Sequence, residues 1–235
     1  MNTNQRFLEA ITSSFNKFLS VGTSRSTAKL HPLHGFIAEE LSQRLGPAYE
    51  IQSQGFGNGK EATMQGRYVD KKVDITILRN QKPIAGIAVK FVMQNYSQNS
   101  NNYFENMLGE TANIRCNRFP YFQVFIIFDH LPYYNRQKEI TKWETLSKHH
   151  IDKYVTLSAD NIEVSMHTPN KTLFYIIHLP INNGLKTHED YISYYRSYGQ
   201  HLTVNNSLSI QFSSAVILND MDLFLQKIYH TVMSL

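Results

Sequence analysis

Between residues 73 and 91 the chain carries two apolar runs of strand length, each broken by one charge. No other feature narrows its possible folds as much. Val73-Asp74-Ile75-Thr76-Ile77-Leu78 holds a lone acid, and Ile84-Ala85-Gly86-Ile87-Ala88-Val89-Lys90-Phe91 holds a lone base. The turn residues Arg79-Asn80-Gln81-Lys82-Pro83 separate them, so the pair reads as a β-hairpin. Side chains alternate along a strand, which puts Gly86, Ala88 and Lys90 on one face and Ile87, Val89 and Phe91 on the other. A buried charge is costly unless it is paired or used. Asp74 and Lys90 on adjacent strands therefore mark a site.

An acid, a hairpin and then x-Val-Lys near the end of the next strand resemble the PD-(D/E)XK nuclease superfamily, which includes most type II restriction endonucleases. In that resemblance Asp74 is the first acid and Ala88-Val89-Lys90 the (D/E)-x-K. Val73 stands where proline is usual, and Ala88 stands where the second carboxylate should be. A branch of the restriction enzymes, cutters of CCGG-containing sites among them, has the same gap and takes the acid from the helix after the lysine strand. Glu105, fifteen residues beyond Lys90, fits that position, with Glu110 in reserve. A helical wheel puts both acids well off the buried face centred on Phe104, Met107, Leu108 and Thr111, so spacing alone favours Glu105. Phe104 replaces the base-reading arginine usual before that glutamate, so the branch's recognition chemistry does not carry over.

The resemblance implies an α/β fold with a restriction-endonuclease-like αβββαβ core, a mixed central sheet flanked by helices, over about residues 33–130. A helix at 4–20 would precede the core and residues 131–235 would follow it, within one nuclease domain spanning 1–235. It further implies Mg²⁺ held by Asp74, Glu105 and the Val89 carbonyl, with Lys90 orienting the attacking water and stabilising charge on the phosphorane. Glu40, an inward-facing acid on the helix before the first strand, would assist. The expected partners are double-stranded DNA, a second copy in a homodimer or higher homo-oligomer, and a cognate DNA methyltransferase.

Around this centre, Phe7, Leu8, Ile11, Phe15, Phe18 and Leu19 recur at helical spacing, and a polar connector follows at 22–27. A second helix runs over 33–45 to the stop Gly46-Pro47, its stripe formed by Leu33, Ile37, Leu41 and Leu45, with Glu40 inside the apolar sector. Residues 49–54 read as a strand. The glycine-rich segment 55–60 lacks the Ser/Thr that a P-loop carries after its lysine. Residues 94–102 read as a carboxamide-rich loop, and Gln94, Asn95, Asn99, Asn101 and Asn102 are candidates for bidentate contacts to adenine edges. Strands are expected at 122–128 and 173–179, and helices at 101–115, 138–154 and 216–235. His31 and His34 straddle Pro32 without the companion ligands of a zinc site, and His149-His150 read as capping or solvated residues.

Composition removes several classes. An apolar content of 42% with 18% charged residues is that of a globular protein, not a disordered one. A net charge of +4 allows local nucleic-acid binding without resembling a polycation. Cys116 is the one cysteine, which rules out an internal disulfide and fits a reducing cytoplasm. No apolar run approaches membrane-spanning length, so the expectation is a soluble cytoplasmic protein without a membrane partner. Two other functions fit the same residues: a structure-selective repair or recombination nuclease, and a non-catalytic DNA-binding protein on a decayed nuclease core, the latter motivated by Ala88.

Overall fold

The antiparallel pair expected around residues 73–91 forms, and a larger sheet grows from both of its edges. The computed structural model describes residues 2–21, 27–198 and 202–235, so most of the polar connector lies outside the described residues. From the N-terminus come α1 (Thr3–Val21), a 3-10 turn (Thr27–Leu30), α2 (His31–Leu45) and β1 (Tyr49–Ser53). Then follow β2 (Ala62–Met64), β3 (Lys71–Val73), β4 (Ile75–Arg79), β5 (Lys82–Val92), α3 (Tyr96–Arg115) and β6 (Tyr121–Phe128). The second half holds β7 (His130–Tyr134), β8 (Ile140–Thr145), α4 (Lys148–Ser158), β9 (Lys171–His178) and α5 (His188–Tyr198). It closes with β10 (Thr203–Val204), β11 (Val216–Leu218) and α6 (Met221–Met233).

The main sheet runs β1-β4-β5-β6-β9, antiparallel between its first three strands and parallel from β5 to β9; β10 and β11 both pair with β9. The fold is therefore α/β, with a mixed central sheet flanked by helices. The β4–β5 turn is tight because Asn80 and Gln81 both adopt positive φ, as a two-residue hairpin loop requires. Every residue of β6 is buried, as expected of a parallel strand covered on both faces. On one side, α1 lays Phe7 edge-on against Tyr175 and Phe15 against Phe128, with ring centroids 4.9 and 4.8 Å apart. On the other, α3 packs along β6. The Ala88/Lys90 face of β5 looks toward α3 and stays partly open, while Ile87, Val89 and Phe91 are buried.

Several expected elements differ. Helix α3 starts at Tyr96, not at residue 101, so the carboxamide-rich stretch is mostly helix. The cap comes from far along the chain: Glu144 of β8 accepts the Tyr96 amide at 2.7 Å and also engages the Ser97 hydroxyl. Residues 138–154 are not one helix. Their first part is β8, paired with β7, and the expected break at 131–134 is itself strand β7, where Pro132 is tolerated in an isolated two-stranded pair. His150 belongs to the capping box that starts α4 with Ser147. The closing helix is shorter than 216–235, because residues 216–218 add to β9 and Asp220 caps α6 by accepting the Leu223 amide at 3.1 Å. Ile228 and Val232 face inward as expected, whereas Leu223 is exposed.

Candidate active site

Asp74 lies in the bend between β3 and β4, where the ladder to β5 ends at Ile75 opposite Ile87. Val89, two positions beyond that last pair, donates its amide to Asp74 Oδ2 at 2.7 Å. The Asp74 carbonyl accepts from Ser53 Oγ at 2.8 Å. Both ends of the residue are thus fixed by the sheet. Burial pushes the Asp74 carboxyl up to about 6; the Val89 amide opposes this, and the neighbouring charges of Glu61 and Glu110 reinforce it.

Lys90 projects from the same face of β5 as Ala88. Its Nζ sits 4.2 Å from the centroid of the Tyr103 ring, a cation–π contact worth roughly 0.5–2 kcal/mol. Burial lowers the Lys90 ammonium below the ordinary lysine range, and the Asp74 charge partly restores it. Asp74, Ala88, Lys90, Tyr103, Glu110 and Gln123 face one cleft of about 270 Å³ between β5, β6 and α3.

The acid that α3 brings to this cleft is Glu110, not Glu105. Tyr103, Asn106, Met107 and Glu110 follow the i, i+3, i+4, i+7 pattern of one helix face, and that face lines the cleft. Glu105 falls off the stripe, is exposed, and acts electrostatically on Lys153. Distance along the chain from Lys90 is a poor guide here, because α3 starts at Tyr96, earlier than its composition suggests, and packs along β6. Glu110 is well held: Lys71 Nζ lies 2.8 Å from Oε2, and the Tyr121 hydroxyl donates to Oε1. Burial, with the charge of Glu110, keeps that phenol protonated far above its ordinary range.

Glu40 is buried, as the wheel indicates, but does not serve this cleft. Arg6 Nη1 at 2.5 Å and Arg44 Nη2 at 3.4 Å engage its carboxylate, joining α2 to α1. The residue of α2 that reaches Asp74 is His34. One ligand atom from each of His34, Glu61 and Asp74 lies within 4.8 Å of the other two. His34 is buried, and neither ring nitrogen has a hydrogen-bond partner among the described residues. Burial and the neighbouring His31 lower its pKa to about 4, so the ring is neutral at pH 7 with a lone pair to offer. Two glycines permit this approach. A Cβ on Gly35 would lie 2.6 Å from the Gly55 carbonyl oxygen, and one on Gly55 2.3 Å from that of His31. Helix α2 and the loop after β1 therefore meet backbone to backbone.

The five carboxamide candidates do not form one reading loop. Asn95 uses its Oδ1 to accept the Tyr134 amide at 2.8 Å, and Asn101 accepts from Lys153 Nζ at 3.3 Å. Asn102 is exposed on α3. Gln94, Asn95 and Asn99, with Lys29, Lys90 and Tyr103, line a second cavity of about 230 Å³ beside the first. Burial, with the charge of Lys90, lowers Lys29 to about 8.

His34 could have been found from the sequence, since it shares helical register with Ile37, Ala38 and Leu41 on the buried face of α2. Glu61, Gln123 and Lys29 carried no such signal. No family model, curated protein or solved structure matches this chain.

Proposed function

We propose that this protein is a divalent-metal-dependent nuclease that hydrolyses phosphodiester bonds in double-stranded DNA. In its specific form the proposal is a type II restriction endonuclease, working as a homodimer or higher homo-oligomer beside a cognate DNA methyltransferase in the cytoplasm. The observation that carries it is the meeting of Asp74, Lys90 and Glu110 on one cleft, from the bend before β4, from β5 and from the helix that follows. The order of α2, β1, the β4–β5 pair, α3 and parallel β6 supports the resemblance to the PD-(D/E)XK core.

The donor set fits a divalent cation. His34 offers ring nitrogens without hydrogen-bond partners among the described residues, and Glu61 and Asp74 bring carboxylate oxygens to the same point. Glu110 lines the adjoining cleft with Asp74, its carboxylate held by Lys71 and Tyr121. With Mg²⁺ held there, the ion would neutralise the scissile phosphate and lower the pKa of a bound water. The remaining chemistry belongs to side chains. Asp74 is held by the Val89 amide, so its carboxylate does not have to be ordered when substrate arrives. Lys90 brings a positive charge into the cleft to donate hydrogen bonds to phosphate oxygens as negative charge accumulates. Tyr103 holds that ammonium by its ring face, leaving its N–H donors for the phosphate.

Ala88 favours a second reading, a DNA-binding protein that no longer cuts. Incubating the protein with plasmid DNA and Mg²⁺, then sequencing the ends, separates the possibilities. Breaks at one short sequence support the restriction enzyme. Dispersed or structure-dependent breaks support a repair nuclease, and binding without breaks supports the second reading.

A further inference from the structure

Strands β2 and β3 carry a loop, residues 65–70, that holds two apolar side chains in solvent. Tyr68 is 81% exposed and Val69 63%. Burying apolar surface is the main favourable term in folding, so exposing these two gains the fold nothing. Yet the loop is tightly built. Tyr68 and Val69 donate their amides to Asn113 Oδ1 at 2.9 and 3.3 Å, and Asn113 Nδ2 returns to the Val69 carbonyl at 2.8 Å. The Arg67 amide reaches the Asn113 carbonyl at 2.7 Å, and Asn117 Nδ2 the Gln65 carbonyl at 2.9 Å. Asn113 itself is buried. Gly66 admits no side chain, since a Cβ would come within 2.0 Å of Asn113 Nδ2 and 2.3 Å of the Val69 carbonyl oxygen. At the base of the loop, Met64 and Val73 pack with Ile114 and Tyr121. A buried carboxamide and an obligatory glycine thus fix an exposed aromatic tip.

The tip is also fixed relative to the cleft. Lys71 and Lys72 line the cleft, and β3 runs directly into Asp74. Arg67 and Lys72 flank the tip as exposed cations, with Asp70 the acid between them. Two side chains are far too small for a protein interface, which needs roughly 800 Å² per partner. A single aromatic is enough to stack on a nucleobase.

We propose that Tyr68 and Val69 form a preorganised wedge that engages the DNA lying over the cleft, Tyr68 stacking on a base beside the scissile phosphate and Val69 filling the space next to it. Arg67 and Lys72 contact the adjoining phosphates. This rests on the nuclease reading and adds a DNA-contacting element to the same site.

The test is photo-crosslinking of the full chain to random-sequence duplexes in which 5-iodouracil replaces thymine, with Ca²⁺ in place of Mg²⁺ to prevent cutting. Peptide mapping should place a crosslink on Tyr68. Tyr68→Ala should weaken binding by roughly 5- to 150-fold, the range of base–aromatic stacking, while Tyr68→Phe binds like wild type. The salt dependence of Tyr68→Ala should match wild type, whereas Arg67→Ala and Lys72→Ala should each reduce the slope by about one. If wild type binds DNA, crosslinks elsewhere, and loses nothing in Tyr68→Ala, the wedge is overturned and the nuclease reading stands. If wild type binds no DNA, both fall.

Discussion

The amide of Val89 donates to the carboxylate of Asp74 at 2.7 Å, so a backbone group of β5 positions the acid that precedes β4. The bond orients Asp74, but burial still outweighs it and holds the carboxyl up to about 6. Below the unfolded-chain value of about 3.9 both states carry the proton, and the residue contributes nothing. Between there and about 6 the native state keeps a proton that the unfolded state has released, so stability falls as pH rises. Above 6 the ionised carboxylate costs the metal-free native state about 3 kcal/mol.

Asp74→Asn keeps an oxygen for the Val89 amide and removes the charge. In metal-free buffer at pH 7 the variant should therefore be more stable than wild type, by up to about 3 kcal/mol, in urea denaturation. The gain should fade as pH drops toward 4. A variant less stable than wild type at pH 7 would show that Asp74 is not penalised by burial.

Glu110, at the end of the stripe Tyr103, Asn106, Met107, should be the α3 acid that matters. Glu110→Ala should slow plasmid cleavage by more than about 100-fold, beyond the 10–100-fold typical of losing an outer partner of a metal ligand. Glu105→Ala should cut within a few-fold of wild type. Ala88 and Lys90 lie about 6.8 Å apart on one face of the strand, so Ala88→Glu should return part of the activity to Glu110→Ala. Loss of cutting in Glu105→Ala with full activity in Glu110→Ala would reverse the assignment.

His34 makes the proposed metal site a mixed nitrogen–oxygen one. Imidazole suits transition metals better than Mg²⁺. Calorimetric titration should show Mn²⁺ binding more tightly than Mg²⁺, and His34→Ala should reduce that preference. Equal Mn²⁺ affinity in wild type and His34→Ala would remove the histidine from the site.

What could be read from the chain was what depends on local pattern. The β4–β5 hairpin carrying Lys90, the buried stripe of α2 and the apolar β6 all follow from periodicity and turn chemistry, whereas the expected strand from residue 73 breaks at Asp74, which bends between β3 and β4. What depends on distant partners could not be read. The start of α3 is set by Glu144, which lies forty-eight residues beyond the Tyr96 amide it accepts. Helical register puts Glu40 inside, but its neutralisation by Arg6 of α1 depends on helix packing. Helix α2 meets the loop after β1 backbone to backbone at Gly35 and Gly55, a contact with no periodic signature.

Lys90 is the residue on which the nuclease reading turns, because among the described residues no hydrogen bond of its ammonium competes with the proposed role at the phosphate. The measurement is conversion of supercoiled plasmid to cut products with Mg²⁺, for wild type and Lys90→Ala, alongside DNA affinity for both. Lys90 acts mainly on charge that develops during reaction, so wild type should cut, Lys90→Ala should not, and the two affinities should agree within a few-fold. Equal cutting rates in the two proteins, or no cutting by wild type under any divalent cation, would contradict that reading.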